Sequence, residues 1–557
     1  MTTLPSDLER IAAALTDAAR EFAPDARPVV AFEPPRNPEF GDFATNVAFG
    51  LAKAARKPPQ TIATELIAAI FARDPELRGL LADARAVGGF INLRMTPAFW
   101  QAIVAAVLRD GSDFGRGVPT GRRISLEFGS ANPTGPLVVV QGRTLSIGAS
   151  LASAMRFVGH DVTTEWIIND AGAQLDTLAR SLYARYRQLV EPAYLFPDDG
   201  YPGDYLIPLA RRLRDRDGAR WDAAAESEWL TAFAEFGRDA IVAEQQAVAD
   251  RFGVTFDRWQ SEKALHDAGL VAAGIAALHA RGLTFEQEGA TWMRTTQFGD
   301  DKDRVLVRAD GRPTYMAPDV AYHYDKLQRS DEVLLILGPD HHGYVKRLET
   351  IAAAYGRIGA IEVIISQLVT TVRDGVVVSS SKRAGEILTL ADIIDDVGVD
   401  AARFFFVMLS TDQPLTFDLT LATEQSNENP VFYVQYGHAR IASIEAKAPA
   451  ALLERAVLGE SLERLVEPLE LALMRRLAEF PKAVRGVAES RAPHRLARYA
   501  REVAADFHQF YMNCRVLDDA DVDRSVARLG LADATKTVLA SALRLLGVSA
   551  PERMDRA

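Results

Sequence analysis

Residues 124–142 read ISLEFGSANPTGPLVVVQG, and the order of signals in this stretch decides the fold. Ile124–Phe128 predicts a β-strand, and Ser130–Pro136 predicts a loop rich in turn-forming residues. From Gly142 the spacing of Leu145, Leu151, Met155 and Val158 predicts an amphipathic helix, and Asp161–Ile168 predicts a second strand. Strand, loop, helix, strand is the pattern of a parallel doubly wound sheet. Further on, Glu332–Leu337 is a short apolar run into Gly338-Pro339-Asp340, as expected of a buried strand of the same sheet. Sheets of this kind bind ligands beyond the C-terminal ends of their strands, where a helix N-terminus holds anions.

Working outward, the first hundred residues predict a separate α/β unit. Leu8, Ile11, Ala12, Leu15, Ala18 and Ala19 recur at helical spacing, a second helix runs through 63–71, and Gly88–Leu93 reads as turn then strand. Residues 175–285 are charged and mostly helical, and are expected to be an insertion between the halves of the sheet. After about residue 421 strand signals end. Leu496, Tyr499, Val503, Phe507 and Phe510 place an apolar stripe on one helix, with Arg495, Arg498 and Arg501 off it. The expected architecture is α/β: a Rossmann-like, five-stranded parallel core, an N-terminal α/β domain and a C-terminal all-helical bundle. The expected domains are 1–100, 118–420 with its insertion near 175–285, and 421–557.

The 557 residues exceed one ordinary domain. Hydrophobic residues make up 48% and charged residues 25%, the balance of a globular protein, and no apolar run is long enough to span a bilayer. The N-terminus lacks a secretory apolar core, and Cys514 is the single cysteine, so a disulfide framework is excluded and a cytoplasmic location is expected. A net charge of −12 argues against bulk coating of nucleic acid but permits local basic surfaces.

Four constellations carry chemistry. The Glu127–Leu137 loop stands where a ligand would lie, although a Pro/Gly connection without a ligand has the same composition. Tyr315 and Asp319 are four apart and share a face if a helix runs through them. A carboxylate beside an aromatic ring suits a guanidinium; a surface aspartate and a core tyrosine is the plainer reading. Asp340, His341 and His342 follow a buried strand. Adjacent side chains diverge and no HxxxH or cysteine partner stands nearby, so these residues are not expected to ligate zinc or another metal, and contacts to an ATP ribose or phosphate fit better; no organic cofactor is expected. Ser379–Gly385 combines hydroxyls, Lys382, Arg383 and a glycine, a composition that suits either a phosphate clamp or a polar surface loop.

Taken in order, these segments resemble the arginyl-tRNA synthetases of class I. NPEFGDFATNVA (37–48) and GGFINLR (88–94) are similar to the family's N-terminal domain, which touches the tRNA D-loop. SANPTGPL (130–137), WIINDAGAQ (166–174), YMAPDVAYH (315–323) and GPDHHGYVKRL (338–348) are similar to its catalytic domain. GVDAARFFF (398–406), NENPVFYVQYGHARI (427–441), FHQFYMNCRVL (507–517) and the ending 547–554 are similar to its anticodon-binding domain. The resemblance implies an ATP-dependent arginine–tRNA ligase, mostly monomeric in the family, that forms arginyl-adenylate with ATP and Mg²⁺, releases diphosphate, and passes arginine to tRNA-Arg, leaving AMP. It implies arginine binding by Glu127, Asn132, Tyr315 and Asp319, and ATP handling by Gln141, Gly142, Gly338, Asp340, His341, His342, Ser381, Lys382 and Arg383. It implies tRNA contacts at Phe40, Asn46, Tyr511, Asn513 and Met554, with Arg495, Arg498 and Arg501 as candidates along the tRNA path.

One loop departs from the family. Where class I enzymes carry His-x-Gly-His, this chain has Val138-Val139-Val140-Gln141, and the first lysine of the second signature is replaced in Ser379-Ser380-Ser381-Lys382. Loss of one preorganised transition-state donor typically costs about 2.7–4 kcal/mol, or roughly 100- to 1,000-fold. Gln141 keeps an amide donor, and Arg143, His341, His342, Lys382 and Arg383 are expected sources of replacement charge. The alternative is an impaired synthetase paralogue that binds arginine or tRNA without charging.

Overall fold

The computed structural model describes residues 6–24, 27–35, 37–378 and 388–554. Its centre is a five-stranded parallel sheet made of β1 (Arg123–Glu127), β2 (Asp161–Ile168), β3 (Arg258–Ser261), β4 (Glu332–Leu337) and β5 (Ile361–Ile365). The order across the sheet is β5-β4-β1-β2-β3, all neighbours parallel. The chain winds outward from β1 first one way and then the other, so the switch point lies between β1 and β4. The loop after β1 and the turn after β4 therefore meet at the C-terminal edge. Buried runs such as Val333–Ile336 suit strands covered on both faces.

The expected amphipathic helix is α1 (Val139–Phe157), and it is buried on most of its circumference. It packs so closely that a Cβ on Gly148 would lie 2.1 Å from the Phe128 ring. A Cβ on Gly142 would come within 2.8 Å of both Leu390 and Phe406 of the helix at Leu390–Val407. Gly142 is thus a packing residue. The helix α2 (Met316–Arg329) leads into β4, and α3 (Val345–Ala354) follows the 3₁₀ turn Pro339–Tyr344.

The 175–285 segment needs correction. Helices Gln174–Gln188, Leu206–Asp217 and Glu226–Arg251 form an insertion with its own aromatic core, but β3 lies within the same segment and belongs to the central sheet. Its four residues, RWQS, are all half-buried at the sheet edge and offer no apolar run to recognise. A three-stranded antiparallel sheet at Thr284–Val307 was likewise unmarked by the pattern.

The N-terminal residues form helices Ser6–Phe22, Val47–Ala55 and Pro59–Arg73 on a three-stranded antiparallel sheet. Gly88 and Gly89 both take positive φ, 60° and 92°, and make the turn into strand Phe90–Met95. Among the described residues after Asp418, all regular structure is helical. Leu496, Tyr499, Val503, Phe507 and Phe510 are buried, as the stripe predicts. Asp42 of the N-terminal unit accepts from Arg475 of the bundle at 2.7 Å, and one hydrophobic cluster runs through all three regions.

Candidate active site

The carboxylate of Glu127, at the end of β1, lies in the protein interior. Its Oε2 pairs with the Lys326 ammonium of α2, which is 0% exposed and sits 4.1 Å over the Tyr322 ring. One turn further along α2, Arg329 donates to Glu165 of β2 at 2.7 Å, and Ser125 donates to the same carboxylate at 2.7 Å. Burial pushes the Glu165 pKa up, but Arg329, Lys326 and Ser125 outweigh it and hold the group below the ordinary carboxylate range. These charges are tightly matched, and they fasten α2 to the sheet.

The loop after β1 is held from several sides. Asn132 Oδ1 accepts from Asn169 Nδ2 at 3.1 Å, and Ser130 Oγ accepts from the Ile167 N–H at 3.0 Å. The buried Gln245, on the insertion, donates to the carbonyls of Asn132 at 3.1 Å and Gly135 at 2.9 Å. Tyr205 donates to the Thr134 carbonyl. Sequence reasoning missed Gln245 and Tyr205, because residues more than seventy positions away leave no local signal.

Tyr315 is the residue before α2 and 82% exposed, so it and Asp319 do stand at the same end of the helix. The ring that meets a guanidinium beside Asp319 is a different one. Arg347 of α3 lies 4.3 Å over Tyr344 and places Nη1 3.7 Å from Asp319 Oδ2. That oxygen is buried and has no hydrogen-bond partner among the described residues. Burial raises the Asp319 pKa to about 7; Arg347 opposes this, while Glu262 and Glu127 add to it. His341 and His342 are exposed on the turn after β4, with His341 Nε2 3.5 Å from Asp340 Oδ2. Gly338 begins that turn.

At the altered signature, Val138 is the residue before α1. Its N–H donates to Gln141 Oε1 at 3.1 Å, which caps the helix, while Gln141 Nε2 has no partner among the described residues. Val138 also bridges Thr389, and Leu390 N–H donates to the Leu137 carbonyl at 2.8 Å. Val139 is buried, and Val140 is half-buried against the main core. Arg143 does not supply charge to this edge. Fully buried, it donates to the carbonyls of Gln367 and Ser410, both at 2.9 Å, and burial lowers its pKa to about 10. One turn into a helix that packs on the core, its side chain points inward. Ser379, Ser380, Ser381, Lys382 and Arg383 lie outside the described residues.

The candidate tRNA residues fall on two surfaces. Phe40 is exposed, and Asn46 precedes helix Val47–Ala55 with its side chain in solvent. In the bundle, Arg440 lies 5.0 Å over Tyr436 and 5.4 Å over Tyr511, and Tyr433 is 4.8 Å from His508. Asn513 is exposed near the end of the same helix as Tyr511, donating to the Gln509 carbonyl at 2.8 Å. His438 contacts the Pro551 carbonyl at 2.8 Å and so anchors the tail that carries Met554. Tyr433, Tyr436, Arg440 and His508 were not singled out; the spacing of three and four along 433–440 was the available signal. Arg495, Arg498 and Arg501 are all exposed; Arg498 pairs with Glu502 at 2.8 Å and Arg495 donates to Ser490 at 3.4 Å.

The parallel sheet with its switch point, joined to a helical bundle, is an architecture that class I aminoacyl-tRNA synthetases share, and the family matches assign the chain to that class. Residues 8–95 match the arginyl tRNA synthetase N terminal domain, 224–408 the class I (R) catalytic domain, and 434–554 the DALR anticodon binding domain. The chain is 46% identical to the arginine–tRNA ligase of Syntrophotalea carbinolica over 95% of both chains. It is 43% identical to that of Moorella thermoacetica over the full length of both. The Thermus thermophilus arginyl-tRNA synthetase structure has the same fold, with a TM-score of 0.74 at 24% identity over 98% of this chain and 100% of that one. The chain belongs to the arginine–tRNA ligase family. The catalytic-domain match begins at residue 224, downstream of Val138–Gln141.

Proposed function

We propose that this chain activates arginine with ATP and transfers it to tRNA-Arg, with Asp319 as the acceptor for the arginine side chain. The observation that carries this reading is the buried, unpartnered Oδ2 of Asp319 at the ligand edge of the sheet. A planar guanidinium supplies two parallel donors to one carboxylate, which a lysine ammonium does not. Tyr315 flanks this end of the pocket. Asn132 is the acceptor for the α-ammonium group; Glu127 is already paired with Lys326.

The arginine carboxylate then attacks the α-phosphorus of ATP, a new C–O–P linkage forms, and diphosphate leaves with the bond electrons. A hydroxyl of the terminal tRNA adenosine next attacks the activated carbonyl and releases AMP. Mg²⁺ would come with the nucleotide and would supply charge neutralisation at its phosphates. Negative charge on the phosphates is met by the N-terminus of α1, by Gln141 Nε2, and by His341 and His342 across the switch point. Lys382 and Arg383 belong to the same role. Phe40 and Asn46 meet the D-loop, and Tyr511, Asn513 and Met554 meet the anticodon together with Tyr433, Tyr436, Arg440 and His508, whose rings and planar guanidinium suit unpaired bases. All three domains of one chain engage one tRNA, which fits a monomer working in the cytoplasm.

The test is charging. Purified protein with tRNA-Arg, ATP, Mg²⁺ and arginine yields arginyl-tRNA; tRNA binding with charging no faster than background would instead identify the non-charging paralogue.

A further inference from the structure

Asp319 and Tyr344 together make a carboxylate beside an aromatic face, which is the arrangement a guanidinium prefers. A guanidinium already lies there, and it belongs to the protein. Arg347 stacks on Tyr344 at 4.3 Å and approaches Asp319 Oδ2 to 3.7 Å. The contact is loose. It is longer than a hydrogen bond and both side chains remain accessible, at 28% and 27%. The neighbouring pair Glu127–Lys326 is the opposite case, in direct contact and shut away from water. Arg347 is well placed to leave: it stands in the first turn of α3, directly after the exposed turn Pro339–Tyr344.

We propose that Arg347 is a resident counter-ion, whose guanidinium holds the substrate side chain's place between Tyr344 and Asp319 until the guanidinium of arginine displaces it. This inference rests on the reading of Asp319 as the side-chain acceptor. The charged groups facing Asp319 are Glu127 from β1, itself neutralised by Lys326, Glu262 from the helix at Glu262–Asp267, and Arg347 from α3; Tyr344 from the intervening turn is the titratable ring. With two carboxylates nearby and one oxygen buried, Asp319 lacking Arg347 would hold its proton to a higher pH. Arg347 and the proton therefore compete with each other, and each competes with the substrate, for one carboxylate.

Competition for a shared group has a quantitative signature. Where Asp319 is ionised, removing Arg347 tightens arginine binding by the factor by which Arg347 had occupied the site. Where the proton already occupies Asp319, removing Arg347 gains nothing. A partly exposed ion pair is worth a factor of about two to five.

The experiment measures Kd of free arginine by titration calorimetry for the full chain and for Arg347→Met, at about pH 8.5 and about pH 6, on either side of the Asp319 titration. The expected result is a Kd roughly two- to fivefold lower in the variant at the higher pH. The gain vanishes at the lower pH, and the pH below which binding weakens moves upward by the logarithm of the same factor. Weaker binding at the higher pH would make Arg347 a substrate contact, and an unchanged Kd would make it a bystander; either overturns the proposal. If Arg347→Met does not fold, Arg347→Lys, which keeps the charge but loses the planar stack on Tyr344, is expected to show a smaller gain of the same sign, and no gain overturns it. Asp319→Asn separates the two readings. An unaltered Kd in that variant would remove the pocket assignment itself, whereas weakened binding there with no effect of Arg347→Met would remove only the counter-ion.

Discussion

Two charged pairs share the helix α2 and behave oppositely. Glu127–Lys326 is sealed between helix and sheet, next to the matched pair Glu165–Arg329. Asp319–Arg347, at the N-terminal end of the same helix, is held apart at 3.7 Å with each side chain about a quarter exposed, although Asp319 Oδ2 itself is buried. The difference teaches how one helix serves both structure and binding. Where water is excluded, an unpaired charge is too costly to tolerate, so its partner is fixed and close. On the proposed reading of Asp319 as the side-chain acceptor, a loose pair favours its ionised form without saturating it.

The comparison is most exposed to Lys326→Met. That change strands the Glu127 carboxylate in the interior and is expected to destabilise the protein by about 3–5 kcal/mol, read as a fall in the urea midpoint; Lys326→Met with Glu127→Leu recovers most of it. A single variant that unfolds like the parent would break the contrast. Asp319→Asn is expected to act on binding, raising the arginine KM roughly 10- to 100-fold through loss of charge-assisted hydrogen bonds. Its melting temperature should hold or rise, because a carboxylate with a raised pKa is one the fold ionises at a cost.

The pH dependence sharpens the same point. The folded pKa of Asp319 is about 7, above its ordinary value, so the ionised acceptor is present above that pH and is lost as pH falls through it. The arginine KM measured in the charging reaction should rise toward tenfold per unit below about pH 7, and a flat profile down to about pH 6 would contradict the assignment. The smallest effect is expected at Gln141→Ala. It removes the acceptor for the Val138 N–H and a free amide donor, costing about 1 kcal/mol of stability and up to about tenfold in kcat, with arginine KM unmoved. A change in KM instead would place Gln141 on the arginine rather than the phosphate.

Much of the architecture was legible in the residues. Strand, loop, helix and strand over 124–168 announce a parallel sheet because parallel strands need a crossover, here a helix, between them, and 332–337 adds the apolar run of a buried strand. The stripe along 496–510 announces the bundle because a helix buries one face. β3 stayed hidden for the same physical reason, since a half-buried edge strand of four residues needs no apolar run. The site was legible only as residue types. Tyr315 and Asp319 stood out at a spacing of four, but nothing in that spacing showed that the chain's own Arg347 lies over Tyr344 and near Asp319.

By itself the sequence determined the family, the class of sheet and the set of polar residues at its edge, because these follow from local periodicity and from motifs in a set order. Only the tertiary structure decided which of those residues are free to act. It buried Arg143 against two carbonyls, tied Glu127 to Lys326, turned one end of Gln141 into a helix cap, and left one oxygen of Asp319 without a partner. A side chain's freedom is set by neighbours from distant parts of the chain, and no spacing along 124–142 records them.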